Sequence, residues 1–313
     1  MTTRRNFIKK LAFVGGALLV NPAAKTIARS SGTLKISLAE WSLHRTLHAG
    51  HLDHLDFPAK ARNTFGIDTV EYVNGFFGGK KMSFKKAGKD KKYLNELLTR
   101  SKDAGVVNHL IMVDEEGPLS LPSDKKRLAA VDDHKKWIDA AAFLGCNTVR
   151  LNLHGDGSSN DKKIASTDSL SRLGSYAKPM GINVVVENHG SDSSDAAWVA
   201  DVMRQVNMQN VGTLPDFGNF CLTHPWGTTD EDCERPYDRY QGVKELLPFA
   251  KGVSAKTYDF DENGEQPKMD YQRLIDIVKA SGFEGYIGIE FEGKTQSEEE
   301  GIRKTKTLIE KYL

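Results

Sequence analysis

Cysteine is scarce. Cys146, Cys221 and Cys233 are the whole complement of a 313-residue chain, and none stands in a C-x-x-C pair or a zinc-finger spacing, which excludes a thiolate metal ribbon. Cys221 and Cys233 share one loop and could pair in an oxidising compartment; the expectation here is three free thiols. Long apolar runs are missing as well. Leu11–Val20 is apolar on every side but only ten residues long, too short to cross a ~30 Å hydrocarbon core as a helix. No repeat of solenoid length stands out, no Pro/Gly/Ser-rich linker divides the chain beyond its leader, and no glycine-rich phosphate turn opens a first helix. A surplus of one charge is lacking too: 43 basic residues face 42 acidic ones, for a formal charge of +1. That balance gives no reason to expect a nucleic-acid partner.

The balance hides an asymmetry. Acid is absent from the first 28 residues, which carry Arg4, Arg5, Lys9, Lys10 and Lys25. Without them, 38 basic and 42 acidic residues remain, a body of −4. The order is an arginine pair in Thr3-Arg4-Arg5-Asn6-Phe7-Ile8-Lys9, the apolar run, then small residues ending near Ala28. It resembles a bacterial twin-arginine (Tat) export signal. The resemblance implies a signal peptide over 1–28, the Tat machinery as a partner and a periplasmic destination. Cleavage and retention as an anchor both stay open.

What the body does contain is alternation. Short β-branched runs at Leu34–Glu40, Ile67–Val73, Val106–Val113, Asn147–Leu153, Ile182–Asn188, Val211–Asp216, Gly252–Lys256 and Tyr286–Phe291 read as strands. Helical segments near 57–65, 90–104, 123–144, 168–180, 194–207, 238–249, 270–281 and 296–312 separate or follow them. Several open on a cap such as Ser123 or Ser297, and several close on a glycine. Strand–helix alternation requires parallel strands with crossover helices. Eight such units predict one domain over 33–313, a single (β/α)8 TIM barrel of the α/β class.

In a barrel strand alternate side chains face the helices and the interior. Val149, Leu151 and Leu153 belong outside, so Arg150, Asn152 and His154 face in. The same parity places Glu187 and His189 of strand five inside, with Ser254 and Lys256 of strand seven and Glu290 and Glu292 of strand eight. Asp216 ends strand six, and Glu71 faces in near the end of strand two. All converge on the C-terminal face, where such barrels do chemistry. Carboxylates crowded into a dry mouth need cations. A hard divalent metal fits that need, with Lys256 and Arg150 as fixed positive charges. Elsewhere, His44, His48, His51 and His54 read as a polar loop or helix face. The run Lys80, Lys81, Lys85, Lys86, Lys89, Lys91 and Lys92 reads as solvated. Trp41 and the Phe76-Phe77 pair stand just beyond strand ends, placed either to stack on a sugar or to pack the rim.

Val-Val-Val-Glu187-Asn-His189, Pro-Asp216-Phe-Gly-Asn219, Ser254-Ala-Lys256 and Ile-Gly-Ile-Glu290-Phe-Glu-Gly follow one another in order. Together they resemble the xylose isomerase-like TIM barrel family of sugar (phosphate) isomerases and epimerases, across essentially all of residues 34 to 312. The resemblance implies Mn2+, Mg2+ or Co2+ held by Glu187, Asp216 and Glu290. It also implies Glu187 and Glu290 as the pair that moves a proton next to a carbonyl through an enediolate, and Arg150, Asn152 and His189 holding oxygens of a carbohydrate substrate; His154, Glu71 and Trp41, placed at the mouth by position, complete the candidate substrate-binding set. Two positions depart from the family. The metal histidine of strand seven is replaced by Ser254 or Lys256, and Asp-x-x-His reads Asp216-Phe-Gly-Asn219. Three outcomes follow: metal on three carboxylates plus His189, Lys256 as part of the electrophile, or a degenerate carbohydrate-binding barrel. The function implied is an exported isomerase or epimerase, with a lyase or hydratase on a keto-sugar as the alternative. The family's zinc-endonuclease branch is not expected, because only His154 and His189 reach the mouth and the body is acidic.

Overall fold

Eight short runs of valine, isoleucine and leucine become the eight parallel strands of the computed structural model, which describes residues 34–226 and 233–313. They are β1 Leu34–Ala39, β2 Thr69–Val73, β3 Val107–Met112, β4 Thr148–Leu151, β5 Asn183–Glu187, β6 Val211–Leu214, β7 Val253–Thr257 and β8 Gly285–Phe291. Parallel ladders run in the order β6-β5-β4-β3-β2-β1-β8-β7. The last seam is held by two isolated parallel bridges, Thr213 to Ala250 and Asp216 to Ser254. The result is a nearly closed (β/α)8 TIM barrel, as the alternation predicts. The signal expected over 1–28 lies outside the described residues, and among the described residues no helix is long and apolar enough to cross a membrane.

The helices are α1 His44–Ala49, α2 Phe57–Phe65, α3 Phe84–Ala87, α4 Lys91–Asp103, α5 Asp124–Leu144, α6 Ser159–Ala177, α7 Ala196–Val206, α8 Arg239–Leu246, α9 Tyr271–Ser281 and α10 Glu298–Tyr312. α1 and α3 are extra turns in the loops after β1 and β2; the other eight form the outer ring. Caps set several starts. Asp195 accepts from the Trp198 amide at 3.0 Å, and Ser297 from that of Glu300 at 3.2 Å. Gly145 ends α5 at φ 79°, a left-handed turn that costs a side-chain-bearing residue.

Outward-facing Val149, Leu151, Val184, Val186, Ile287, Ile289 and Phe291 are all fully buried against the helices. Each contributes about 1.5–3 kcal/mol by leaving water. That outward burial is what commits the alternate, polar residues to the barrel interior. The strands pair in step, with Glu187 beside Leu214, Lys256 beside Glu290 and Ser254 beside Gly288. Strand ends therefore deliver their last side chains to one level.

Three expectations need correction. α6 spans 159–177, not 168–180, with a short 3-10 turn over Lys178–Met180. Cys221 and Cys233 are joined in a disulfide, which leaves Cys146 as the buried free thiol; an antiparallel bridge between Cys221 and Pro236 sets the two arms of that loop side by side. Phe77 is no rim residue but core, packed edge-on against Trp137 at 5.1 Å.

Candidate active site

Glu187 closes β5, Asp216 follows β6, and Glu290 lies near the end of β8. Ligand oxygens of the three are within 4.8 Å of one another, and all three side chains are buried. Among the described residues no other group of three metal-capable side chains occurs. The four histidines after β1 are dispersed: His44 stacks on Trp41 at 4.8 Å, whereas His54 is buried on Glu40 at 2.8 Å. The lysine run is exposed throughout.

Two cations sit inside this cluster. Arg150 Nε lies 2.7 Å from Glu187, and its Nη1 is 2.7 Å from Asp114. Lys256 Nζ donates to Glu290 at 2.9 Å and to Glu292 at 3.0 Å, and is 3.8 Å from Asp216. Lys256 is 1% exposed. Burial would strip its proton, but Asp216, Glu290 and Glu292 hold its pKa well above the ordinary lysine value. An ammonium has no lone pair for a metal, so Lys256 supplies charge and not a ligand.

Hydrogen bonds fix the carboxylates. Asp216 Oδ1 accepts from the amides of Gly218 and Asn219 at 2.7 and 2.8 Å, and the Asn188 amide side chain pins the Asp216 backbone. Asn219, where the family carries histidine, donates Nδ2 to Glu187 at 3.0 Å. Ser254 Oγ lies 2.6 Å from Asp216 Oδ2 and 2.8 Å from Glu290 Oε2. A hydroxyl carries one proton, so satisfying both contacts takes a second proton on a carboxyl. Asp216 is suited to carry it, since burial lifts its pKa to about 6 against the pull of Lys256. Burial also raises Glu187 well above the carboxylate range, against Arg150. Glu290 goes the other way: burial opposes it, but Lys256 holds its carboxyl below the ordinary value.

The remaining expected residues divide. Trp41 Nε1 donates to Glu292 at 2.6 Å, placing its indole on the rim. Arg150 and Asn152 meet on Asp114, with Asn152 Nδ2 at 2.6 Å. His154 and His189 stand 6.0 Å apart, both flanked by Trp226; burial depresses them to about 4 and about 3, so both are neutral. Glu71 turns its carboxyl deeper into the barrel, accepting from Ser37 at 2.5 Å. Sequence reasoning missed Asp114 and Trp226, and named Asn219 only as the histidine the family would carry there. Asp114 was within reach, as an acid just past the strand Val107–Met112. Trp226 was not, because it sits in a long loop with no periodicity.

A test of metal fit rests on this donor set. Three buried oxygen ligands, two of them driven up by burial, suit a hard divalent cation, and the group could hold one. Lys256 stands where a fourth ligand would come from, and competes with that cation.

Residues 59–312 match the family described as xylose isomerase-like TIM barrel. A solved structure of a sugar phosphate isomerase/epimerase from Parabacteroides distasonis superposes with a TM-score of 0.64 at 15% identity, covering 92% of this chain and 97% of that one. A xylose isomerase-like TIM barrel protein from Mycobacterium smegmatis, in complex with magnesium, gives 0.62 at 14%, covering 90% and 98%. The 3-keto-D-glucoside 4-epimerase from E. coli gives 0.58 at 14%, covering 89% and 98%. One curated relative, the C-glycoside deglycosidase alpha subunit of Arthrobacter globiformis, is 41% identical over 49 residues, 16% of this chain and only 14% of that protein's length. Matched along most of its barrel, the chain belongs to the xylose isomerase-like TIM barrel family.

Proposed function

We propose that this protein is an exported sugar isomerase or epimerase that moves a proton next to a carbonyl. One observation carries the reading: Glu187, Asp216 and Glu290, from three strand ends, bring oxygens within 4.8 Å at a mouth that also holds Arg150 and Lys256. Glu290, kept ionised by Lys256, is placed to take the proton, and Glu187, raised by burial, to return it. The C–H bond breaks, its electron pair forms the C=C bond of the enediolate and the carbonyl π pair moves onto oxygen; protonation of the same carbon on its other face gives the epimer, whereas protonation of the former carbonyl carbon, with the proton of the neighbouring hydroxyl passing to the enediolate oxygen, gives the isomer. Lys256 places a fixed ammonium beside the developing negative charge. A divalent cation (Mn2+, Mg2+ or Co2+) on Glu187, Asp216 and Glu290 would add Lewis-acid polarisation of the substrate carbonyl.

The test is solvent-deuterium wash-in across a panel of ketoses and keto-sugars. Wild type is expected to exchange the hydrogen next to the carbonyl, and Glu187→Gln and Glu290→Gln each to slow exchange by about a thousandfold or more. Wild-type protein that binds sugar without exchange would mean a degenerate binding barrel. A second reading keeps the abstraction but ends in loss of a leaving group, as a lyase or hydratase. Lys256 in the place of the family's histidine and the short segment shared with a C-glycoside deglycosidase subunit favour it. Product analysis after exchange separates the two. Export is supported by the twin-arginine leader and by the Cys221–Cys233 disulfide, a bond of oxidising compartments.

A further inference from the structure

Beside the carboxylate cluster the mouth opens into a cavity of about 230 Å3. Its floor is the loop after β3, residues 113–118, and its walls are His134, Asn152, His154 and Trp226. Two ion pairs link it to the reaction site. Asp114 lines the cavity while accepting from Arg150 at 2.7 Å, and Arg150 is 2.7 Å from Glu187. The proton transfer proposed above uses none of this space.

Three observations mark it as built for a ligand. Trp226 is 52% exposed, tilted over His154 at 4.3 Å and edge-on to His189 at 5.9 Å, whereas Trp137 and Trp198 are buried. A large aromatic face left open over a cavity is a stacking surface. Second, Asn152 is only 6% exposed, yet its Oδ1 has no hydrogen-bond donor, and His154 Nε2 beside it has no partner. Buried polar atoms are rarely left so. Third, the floor is rigid and locally strained. Asp114 and Asn74 exchange two hydrogen bonds of 2.8 and 2.9 Å, Glu116 accepts from Trp137 Nε1 at 2.8 Å, and Glu115 adopts φ 58°. Strain at a non-glycine residue clusters at ligand sites.

Charge and size then select the ligand. Asp114, Glu115 and Glu116 line the cavity, and the nearby cations are committed, Arg150 to Asp114 and Glu187, and Lys136 and Lys85 to Glu116 at 2.7 and 3.5 Å. A phosphate or carboxylate would meet like charge. Hydroxyl groups would instead donate to the carboxylates of Asp114 and Glu115, which reach the cavity surface. At 230 Å3 the space falls below the ~300 Å3 at which pockets for drug-sized ligands begin, and suits a single ring. We infer that this cavity is a subsite for a second, neutral sugar ring stacked on Trp226, so that the substrate is a glycoside and not a free monosaccharide or a sugar phosphate. The name of the reacting ring rests on the proposed function; the subsite does not.

Calorimetric titration tests it with glucose, glucose 6-phosphate and three glucosyl disaccharides (cellobiose, maltose and trehalose) as probes. At least one disaccharide is expected to bind about tenfold more tightly than glucose, with glucose 6-phosphate no better than glucose. Trp226→Ala should cut the disaccharide-to-glucose ratio by about three- to tenfold, and Trp226→Phe should keep most of it, which separates stacking from misfolding. No disaccharide preference, a ratio unmoved by Trp226→Ala, or tighter binding of glucose 6-phosphate would overturn the inference. Deuterium wash-in on the panel of ketoses and keto-sugars, run with the same protein, keeps the two readings apart. A preference for disaccharide with no exchange on any of the panel defeats the proposed reaction and supports the subsite, and exchange on the panel without disaccharide preference does the reverse.

Discussion

A Cβ on Gly288 would lie 2.7 Å from Oε1 of Glu71, so the glycine of β8 exists to make room for a carboxyl inside the barrel. Gly288→Ala is therefore expected to destabilise by about 1–3 kcal/mol, read as a lower unfolding temperature. Glu71 itself answers to pH. Burial lifts its pKa from the ordinary 4.5 to about 7, against the Ser37 hydrogen bond. Between those values the folded chain binds more protons than the unfolded one, so stability falls as pH rises from 4.5 to 7 and is level beyond. Glu71→Gln should remove that slope, matching wild type near pH 4 and exceeding it at pH 8 by up to about 3 kcal/mol; thermal melts at the two pH values check it. Lys256→Met leaves Glu290 and Glu292 without their cation, at a cost of about 3–5 kcal/mol in chelator. It should also tighten Mn2+ binding about tenfold, measured by dialysis and elemental analysis. At this scale parity made the acids legible, because a side chain next to an outward valine or isoleucine, as Glu187 is to Val186, has one direction to go. Asn219 was legible only as a lost histidine, since its hydrogen bond to Glu187 depends on how the loop after β6 turns.

Elements explain where parity failed. The first turns of α6, Ser159-Asn160-Asp161-Lys162-Lys163, carry no apolar stripe, so periodicity placed the helix start nine residues late. What starts it is Ser158, whose hydroxyl accepts from the Asp161 amide at 3.2 Å. Small polar contacts join the buried Leu170 and Leu173 in docking it: Ser166 to Ser120 at 2.8 Å and Ser169 to the Leu119 carbonyl at 2.7 Å. The strands were legible because burial on their outer face writes a period of two into the sequence. The loop after β6 writes nothing, yet it carries Trp226 within the segment closed by Cys221 and Cys233. Closing a loop of this length stabilises by about 3 kcal/mol. Cys233→Ser should lower the unfolding temperature by that measure and also weaken disaccharide binding, because Trp226 loses its tether. A Cys233→Ser protein that melts lower but binds unchanged would show that the barrel rim alone positions Trp226.

The whole molecule carries its charge in two parts, +5 over the first 28 residues and −4 over the rest, and the export proposed above would connect the first part to the disulfide. The Tat pathway that the arginine pair resembles moves proteins already folded. Cys221 and Cys233 would then be brought side by side by the finished barrel before either sulfur met an oxidant. A thiol pair of that kind stays reduced in a reducing cytosol and closes only beyond the membrane. Replacing Arg4 and Arg5 with lysine should hold the full-length protein in the cytoplasm, folded, with Cys221 and Cys233 open to alkylation after mild unfolding. Wild type recovered from the periplasm should resist the same alkylation at both positions, leaving only Cys146 to label. Mass spectrometry of the two fractions reads the outcome directly. A disulfide already formed in the retained double variant would separate oxidation from export, and equal export of both proteins would remove the arginine pair from the address.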